Sequence, residues 1–283
     1  MSYCPISPFS PNIISDLQNI GCFEFIRTEF AAGTLIAIIA GVTGYFVVLR
    51  RSAFVAHAYS EIGFAGAAGA ILVGIAPLDG LLLGSISGGI AIALLGRRAT
   101  NRDTQIGIVL AFALGLGLLF IHLYRAFATA AISILFGEIE GVSLSQVYLT
   151  FGACIGIVAV IGLIYRPLLF ASLDEDVAEA KGMPMFLLGT VFMLIVAVAV
   201  SFAVQVTGVL LIFSLMVTPA ATAQYLSRRA RWSILISVII ALCATWAGIL
   251  ISFYTNAPVS FFITGFVFTF YVLVRGLRMV VEW

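Results

Sequence analysis

The sequence predicts an all-α membrane protein, a polytopic bundle of eight or nine transmembrane helices with one short cytoplasmic helix on a connection. Three observations predict this fold. First, 62% of the 283 residues are hydrophobic and only 10% are charged, against about 25% charged residues in an ordinary soluble domain. Second, apolar stretches of membrane-spanning length follow one another along the chain. Third, the basic residues fall at alternate connections, as the positive-inside rule requires.

The apolar stretches are each about 18–22 residues long, which suffices to cross the hydrocarbon core of a bilayer. They cover 30–49, 57–75, 79–96, 105–124, 146–165, 186–204, 207–226, 233–254 and 261–279. No polar stretch between them is long enough to form a soluble domain. We therefore divide the chain into an extracytoplasmic N-terminal segment, 1–29, and a transmembrane domain, 30–283. Residues 1–29 lack the basic leading region and long apolar core of a signal peptide.

The distribution of charge predicts the orientation in the membrane. Twelve of the fourteen basic residues lie on one side: Arg50, Arg51, Arg97, Arg98, Arg102, Arg166, Lys181, Arg228, Arg229, Arg231, Arg275 and Arg278. The positive-inside rule assigns this side to the cytoplasm, which places the N-terminus outside and the C-terminus inside. Acidic residues collect on the other side, where they suit an arriving cation and equally fit the solvation of ordinary loops.

The second stretch carries the chemistry of greatest interest. His57 and Glu61 are four residues apart in an apolar segment, so a helix places them on one face. An ionisable residue at the centre of a membrane helix costs about 2.5–3.5 kcal/mol. An imidazole and a carboxylate at this spacing can bind a divalent cation. The alternative is that the two side chains pair with each other or stay hydrated near the headgroups. We favour the metal site, because an ionisable residue within a membrane helix is by default a functional-site hypothesis.

The outer side is expected to carry a further short helix. The apolar part of the 126–145 region, 126–136, is too short to cross the bilayer, so we expect it to lie on or dip into the outer surface. His122, close to the outer end of the fourth stretch, is interpreted as structural rather than as a ligand. Of the cysteines, Cys154 and Cys243 are apolar helix residues, whereas Cys4 and Cys22 face an oxidising space where a disulfide can form.

Residues 173–184 form the only sustained polar run on the cytoplasmic side. Acidic residues open a short helix where negative charge favours the helix dipole, and a glycine followed by Pro184 ends it. Its polar positions and its glycine are Asp174, Glu175, Asp176, Glu179, Lys181 and Gly182. The sequence leaves two interpretations open, a solvated connector or a docking element for a partner.

The stretch 207–226 contains a proline that predicts a bend. Pro219 removes a backbone hydrogen bond, and Thr218 and Thr222 can satisfy the freed carbonyl or line a polar path. Gln205 lies just before this stretch, at the outer end of the preceding one. A kink beside a pathway and a purely structural kink are both compatible with this pattern.

Several activities are excluded by the residues themselves. Lys181 is the only lysine and is followed by Gly182, so the chain has no phosphate-binding loop ending in Gly-Lys-Ser/Thr. It also lacks the H-E-x-x-H and G-x-S-x-G motifs of hydrolases. We therefore expect no enzymatic activity and no cofactor in this chain, and nothing in the charge pattern indicates a nucleic-acid partner. If the chain uses energy, a partner or an ion gradient supplies it.

Five segments together resemble a known family. They are the segment 50–70, T-Q-I-G-I-V-L-A at 104–111, L-F-G-E-I-E-G-V-S at 135–143, the 173–184 run, and Q-V-T-G-V-L-L-I-F-S-L-M-V-T-P-A-A-T-A at 205–223. In this order they resemble the membrane permease subunits of bacterial ATP-binding-cassette importers for zinc, manganese and iron(II). The resemblance spans about residues 33 to 275.

The resemblance implies a type II importer-like bundle and a set of partners. It implies a homodimer with the pathway along the dimer axis, two ATPase subunits that bind ATP on the cytoplasmic side, and an extracytoplasmic metal-binding protein above. It also implies that the 173–184 helix is the coupling helix seated on the ATPase, and that the chain lies in the bacterial inner membrane among its lipids.

One motif departs from the family pattern. The second-span motif of the family commonly reads G-D-A-L-S-H, with Asp and His four apart as intramembrane metal ligands. Here the equivalent positions are His57 and Glu61, so the ligand classes are kept in exchanged order. Carboxylate oxygens suit manganese or iron(II) and imidazole suits zinc, which leaves the choice of metal open.

The expected function is therefore import of a divalent metal ion, the substrate, by alternating access. Two alternatives remain transporters, one for a metal chelate through a wider and less charged pathway, the other driven by an ion gradient without an ATPase. A non-transporting scaffold or receptor would need neither His57 nor Glu61 for more than stability.

Overall fold

The computed structural model of the chain describes residues 24–95, 102–123, 137, 141–255 and 257–281. The regular elements of this part are helices. In chain order they are α1 (Glu24–Leu49), α2 (Ala53–Val73), α3 (Pro77–Leu95), α4 (Arg102–Leu123), α5 (Leu144–Leu173), α6 (Glu175–Ala180), α7 (Met185–Thr207), α8 (Val209–Leu226), α9 (Ala230–Thr255) and α10 (Val259–Val281). The all-helical membrane fold predicted from the sequence is thus confirmed.

Each of the nine predicted spans corresponds to one long helix. Seven of these helices, α1, α4, α5 and α7 to α10, are long and apolar enough to cross a membrane. The other two predicted spans correspond to α2, which carries His57 and Glu61, and to α3, whose residues Pro77–Ile92 form a further apolar helix. The first helix begins at Glu24, earlier than the predicted span, because Ile26 already packs into the bundle.

The helices divide into a buried core and an outer layer. In the most apolar 18-residue stretch of α1, 67% is buried within the bundle, and in the corresponding stretch of α7 the buried share is 56%. The corresponding share is only 17% in α4 and in α10. α1 packs against α5, α7, α8 and α9, whereas α2 packs against α3, α4, α7 and α8. Since both groups share α7 and α8, these two helices join α2 to the rest of the bundle.

Glycines set the close approach of α2 and α3. A Cβ atom on Gly66 would collide with the carbonyl oxygen of Gly80 and would lie 2.8 Å from Gly84 Cα. Small residues of this kind let membrane helices pack backbone against backbone. The two helices are therefore held at a separation that allows no side chain between them at this level.

Two serines connect α2, α3 and α7. Ser85 Oγ donates a hydrogen bond to the carbonyl oxygen of Tyr59 at 3.1 Å, and Ser201 Oγ lies 3.2 Å from Ser85 Oγ. Both serines are fully buried. Inside a membrane protein such hydrogen bonds satisfy polar groups that have no water to bind. They fix the first half of α2 at Tyr59, which lies between the two residues of the candidate site.

Candidate functional site

The candidate site lies on α2, whose start is set by a tight connection after α1. Arg51 has a positive φ of 53°, and Ser52 donates its backbone N–H to the carbonyl oxygen of Val47 at 2.9 Å. Arg50 is half-buried, and its guanidinium carbon lies 5.4 Å from the centroid of the Phe192 ring on α7. The connection is thus packed into the bundle and holds the beginning of α2.

His57 lies one turn into α2 in a partly apolar setting. Its ring centroid is 5.2 Å from that of Phe213 on α8 and 6.4 Å from that of Phe54. The Nδ1 atom is buried and has no hydrogen-bond partner among the described residues. A buried polar atom left unpaired costs about 1–3 kcal/mol, so an imidazole in this position favours a ligand that can use its free nitrogen.

Glu61 lies on the same face of α2, one turn further along. It is half-buried and lies close enough to His57 for an electrostatic interaction. Ser60, between them, donates its hydroxyl to the carbonyl oxygen of His57 at 2.7 Å and is itself buried. The structure therefore brings together the two residues that the sequence pairs, with one nitrogen ligand and one carboxylate available to a cation.

One copy of the chain supplies an incomplete set of ligands. In the described ranges, no group of three or more His, Cys, Asp and Glu side chains is close enough to hold a metal ion. His57 and Glu61 provide two protein ligands, fewer than the four of a closed tetrahedral site or the six of an octahedral one. A metal at this position needs further ligands from water or from a second chain.

Phe213 is the residue at this site that the sequence analysis missed. It lies in the segment 205–223 that carries the resemblance, and it is 37% exposed. Its ring makes the α8 contact with His57. An aromatic residue in an apolar span gives no signal that distinguishes a lipid contact from a site contact, so only the packing of α8 on α2 identifies it.

The polar residues predicted around Pro219 lie elsewhere on α8. Pro219 and Thr222 are buried, Thr218 is half-buried, and the Thr222 hydroxyl donates to the carbonyl oxygen of Thr218 at 2.7 Å. Gln205 is half-buried near the end of α7. The carbonyl that Pro219 leaves without its helical N–H donor is that of Leu215, four residues earlier, so the Thr222 bond to Thr218 is an ordinary local one, and a role of these residues in a pathway stays a prediction.

The predicted polar helix at 173–184 is present as α6. Asp174 is its N-cap, and the Asp174 carboxylate accepts a hydrogen bond from the Val177 backbone N–H at 3.0 Å. Gly182, with φ of 75°, follows the helix end, and Met183 N–H bonds to the Ala178 carbonyl oxygen at 3.2 Å. Gly182 N–H also donates to the Glu179 carbonyl oxygen at 2.9 Å, and the two bonds together form a Schellman motif. Lys181 extends over the ring of Phe170 on α5, with Nζ 4.8 Å from its centroid.

The remaining sequence predictions concern His122, the cysteines, the outer helix and the N-terminal segment. His122 lies exposed in the last turn of α4, and its interpretation as structural rather than as a ligand stays a prediction. Cys154 is buried and Cys243 exposed, and both lie in helices as predicted. The predicted outer helix at 126–136, the cysteines Cys4 and Cys22, and nearly all of the N-terminal segment lie outside the described residues.

Comparison with known proteins identifies related chains over nearly the whole length. The model of the family described as "ABC 3 transport family" matches residues 22–277. The manganese import system permease protein ScaB of Streptococcus parasanguinis is 30% identical over 239 residues, which is 84% of this chain and 85% of that protein. The manganese transport system membrane protein MntC of Halalkalibacterium halodurans is 28% identical over 231 residues, 81% of this chain and 79% of that protein.

Two solved structures share the fold. PsaBC from Streptococcus pneumoniae, in complex with Fab, superposes with a TM-score of 0.84 at 26% identity, covering 93% of this chain and 95% of that chain. An inward-facing conformation of a putative metal-chelate type ABC transporter superposes with a TM-score of 0.73 at 14% identity, covering 97% of this chain and 92% of that chain. The second likeness establishes the fold alone.

Proposed function

This chain belongs to the ABC 3 transport family, and from that premise we propose that it is the transmembrane subunit of an importer that moves a divalent metal ion into the cytoplasm. The relative ScaB is named as a manganese import system permease protein and MntC as a manganese transport system membrane protein, so manganese is the first metal to test. The observation that carries the proposal is the His57–Glu61 pair, an imidazole with an unpaired buried nitrogen and a carboxylate on one face of an otherwise apolar helix.

The transport site is proposed to form between two copies of the chain. One copy offers two ligands, and a symmetric partner would add a second imidazole and a second carboxylate, for four in all. Such a mixed set is compatible with manganese, iron(II) or zinc. Four ligands from separate chains also suit transport, because the site must bind the ion well enough to load and weakly enough to release it.

The partners of the chain follow from the same proposal. The chain has no phosphate-binding loop of its own, so ATP is bound and hydrolysed by two separate cytoplasmic ATPase subunits. A metal-binding protein delivers the ion on the outer side. α6 is the coupling helix that rests on the ATPase, and its exposed carboxylates, Glu175, Asp176 and Glu179, are available for that contact. The chain lies in the bacterial inner membrane with its C-terminus inside.

The test of this function is reconstituted uptake. The chain is placed in proteoliposomes with the ATPase and metal-binding protein of its operon, and uptake of radiolabelled manganese, zinc and iron(II) is measured with and without ATP. We expect uptake of manganese that requires ATP hydrolysis and that the other two metals inhibit by competition. Uptake that needs only an ion gradient, or that occurs only for a metal chelate, would establish one of the alternative transporters instead.

The Asp174 cap gives a separate prediction for coupling. Asp174→Ala removes the hydrogen bond to Val177 at the start of a helix of only six residues. Loss of an N-cap costs about 1 kcal/mol, or roughly a fivefold change in an equilibrium. We expect the purified ATPase subunit to bind the variant in nanodiscs about fivefold more weakly than the unmodified chain.

A second N-cap supplies the control for this measurement. Ser143 caps α5 at its other end, and its hydroxyl accepts the Gln146 backbone N–H at 3.4 Å. Ser143→Ala should leave the affinity for the ATPase unchanged, because α5 carries this residue at the end opposite to α6. If the ATPase subunit binds Asp174→Ala and the unmodified chain with equal affinity, α6 is not part of the docking surface.

A further inference from the structure

A cluster of tyrosines and arginines lies where α8 and α10 pack together. Its members, called here the tyrosine–arginine cluster, are Tyr225, Tyr271, Arg275 and Arg278. Arg275 Nη1 donates a hydrogen bond to the Tyr271 hydroxyl at 2.9 Å. The guanidinium carbon of Arg278 lies 5.9 Å from the centroid of the Tyr225 ring. The two tyrosine rings are 6.1 Å apart, centroid to centroid. The two helices thus hold two cations against two aromatic rings.

This arrangement is more specific than a bias of charge toward one side of the membrane. The positive-inside rule requires only that basic residues be present. Here the guanidinium carbon of Arg275 lies 5.9 Å from the centroid of the Tyr271 ring, within the range of a cation–π contact, in addition to the hydrogen bond. That hydrogen bond uses one of the five N–H donors of the guanidinium. Arg275 is exposed, so its other donors remain available to an anion, and a guanidinium can bind two phosphate oxygens at once.

The neighbouring residues add positive charge and apolar surface. Three exposed arginines follow Tyr225 in the chain: Arg228 and Arg229 lie in the turn between α8 and α9, and Arg231 lies in the first turn of α9. On α10, Phe268 is 62% exposed and Val272 49% exposed, and their positions seven and three residues before Arg275 place them on its face of the helix. Trp232, at the start of α9, is 55% exposed, as is typical of aromatic residues at the level of lipid headgroups. A ligand here meets positive charge on one side and apolar surface on the other.

We propose that the tyrosine–arginine cluster binds the phosphate headgroup of an anionic phospholipid, whose acyl chains lie along the exposed apolar side of α10. Basic groups between membrane helices on the cytoplasmic side are suited to such headgroups. The exposed apolar residues Phe268 and Val272, on the same helix face as Arg275, favour a lipid over a free phosphate ion. The site also lies apart from the coupling helix, because α6 packs against α5 and α7 whereas the cluster belongs to α8 and α10. This favours a lipid over the ATPase subunit as the ligand.

The test is native mass spectrometry of the full-length chain in detergent with added phosphatidylglycerol or phosphatidylcholine. We expect the chain to retain phosphatidylglycerol in preference to phosphatidylcholine. The double variant Tyr271→Phe with Arg275→Gln should retain at least fivefold less phosphatidylglycerol. The matched control is Arg166→Gln, which removes an exposed arginine of α5 and should leave retention unchanged. Arg275→Lys separates charge from geometry, since lysine keeps the charge but loses the planar group.

Each other outcome overturns the proposal. If the double variant and the unmodified chain retain the same amount of phosphatidylglycerol, the cluster is not the lipid site. If inorganic phosphate raises the melting temperature of the chain as much as phosphatidylglycerol does, and the double variant loses both effects, the ligand is a free anion. If the double variant keeps its lipid but binds the ATPase subunit more weakly, the cluster is a protein contact. Lipid retention is measured without transport, so its failure would leave the proposed function standing.

Discussion

Replacing His57 by alanine is expected to lower manganese uptake by more than about 100-fold while the chain still assembles with its ATPase. The variant removes the only nitrogen ligand of the pair, and in a dimer it removes both imidazoles of the site. Loss of a residue that merely orients a ligand already costs about 10- to 100-fold in metal affinity, so loss of the ligand itself should cost at least as much. Uptake is measured in proteoliposomes at equal protein content, with ATP hydrolysis recorded in parallel.

Glu61→Gln should produce a loss of the same order. Glutamine keeps the size of the side chain and its position one turn after His57, but it removes the negative charge that balances a divalent cation in an apolar setting. Because the shape is preserved, the packing of α2 should not change. Glu61→Asp keeps the carboxylate and should retain partial uptake with an altered preference among manganese, iron(II) and zinc.

The sequence provides its own control for the histidine variant. The chain has two histidines, and His122 lies exposed in the last turn of α4. His122→Ala should leave uptake within about twofold of the unmodified chain, as for most surface changes. If His57→Ala and Glu61→Gln also retain full uptake, the pair is structural, and the pathway must be sought around Gln205 and Thr222. Mn²⁺ binding, measured by electron paramagnetic resonance, distinguishes a variant that has lost the metal site from one that still binds the metal but no longer transports it.

Gly66→Val is expected to destabilise the bundle strongly. The new side chain would meet the Gly80 carbonyl oxygen and Gly84 Cα, which are backbone atoms and cannot rotate away. Overpacking a well-packed interior costs about 1–3 kcal/mol even where side chains can yield, so we expect at least that loss here. The measurement is the melting temperature in detergent, followed by fluorescence-detected size-exclusion chromatography.

Gly156→Val is the control that distinguishes the effect of the collision from the effect of valine on helix propensity. Gly156 lies within α5, and a Cβ atom there would meet nothing within 4 Å among the described residues. Both variants place valine in a helix interior, so their intrinsic propensity change is the same. We expect Gly156→Val to melt within a few degrees of the unmodified chain. Similar melting temperatures for the two variants would mean that α2 and α3 can separate without cost, and then their close contact would not fix the site.

The sequence predicted the helices well because a membrane constrains the backbone so strongly. Every polar backbone group in the bilayer must be satisfied within the helix, and so hydropathy alone located the nine long helices. The α6 helix was found by local chemistry, since Asp174 caps it and Gly182 ends it. The start of α1 at Glu24 was missed, because its first turn mixes charged residues with the buried Ile26, and a hydropathy window cannot separate the two faces of a helix.

Residues that act through contacts between helices were not predictable in the same way. In the sequence, Phe213 cannot be distinguished from the other apolar residues of its span. Only the packing of α8 against α2 places its ring beside His57. The hydropathy of the second stretch did not indicate that α3 would pack closely on α2 or that Gly66 would lie against Gly80. In the tyrosine–arginine cluster, Tyr225 and Tyr271 come from helices that are not adjacent in the chain.

By itself, the sequence determined that the chain spans a membrane, where its helices lie, and that His57 and Glu61 share one helix face. These properties follow from the hydropathy of single residues and the fixed repeat of the helix, which are local. The tertiary structure decided which helix faces which. It buried the Nδ1 atom of His57 and joined α2 to α3 and α7 through Ser85 and Ser201. Such contacts depend on the shapes of surfaces far apart in the chain, and apolar helices in a lipid solvent have no hydropathy difference to select among them.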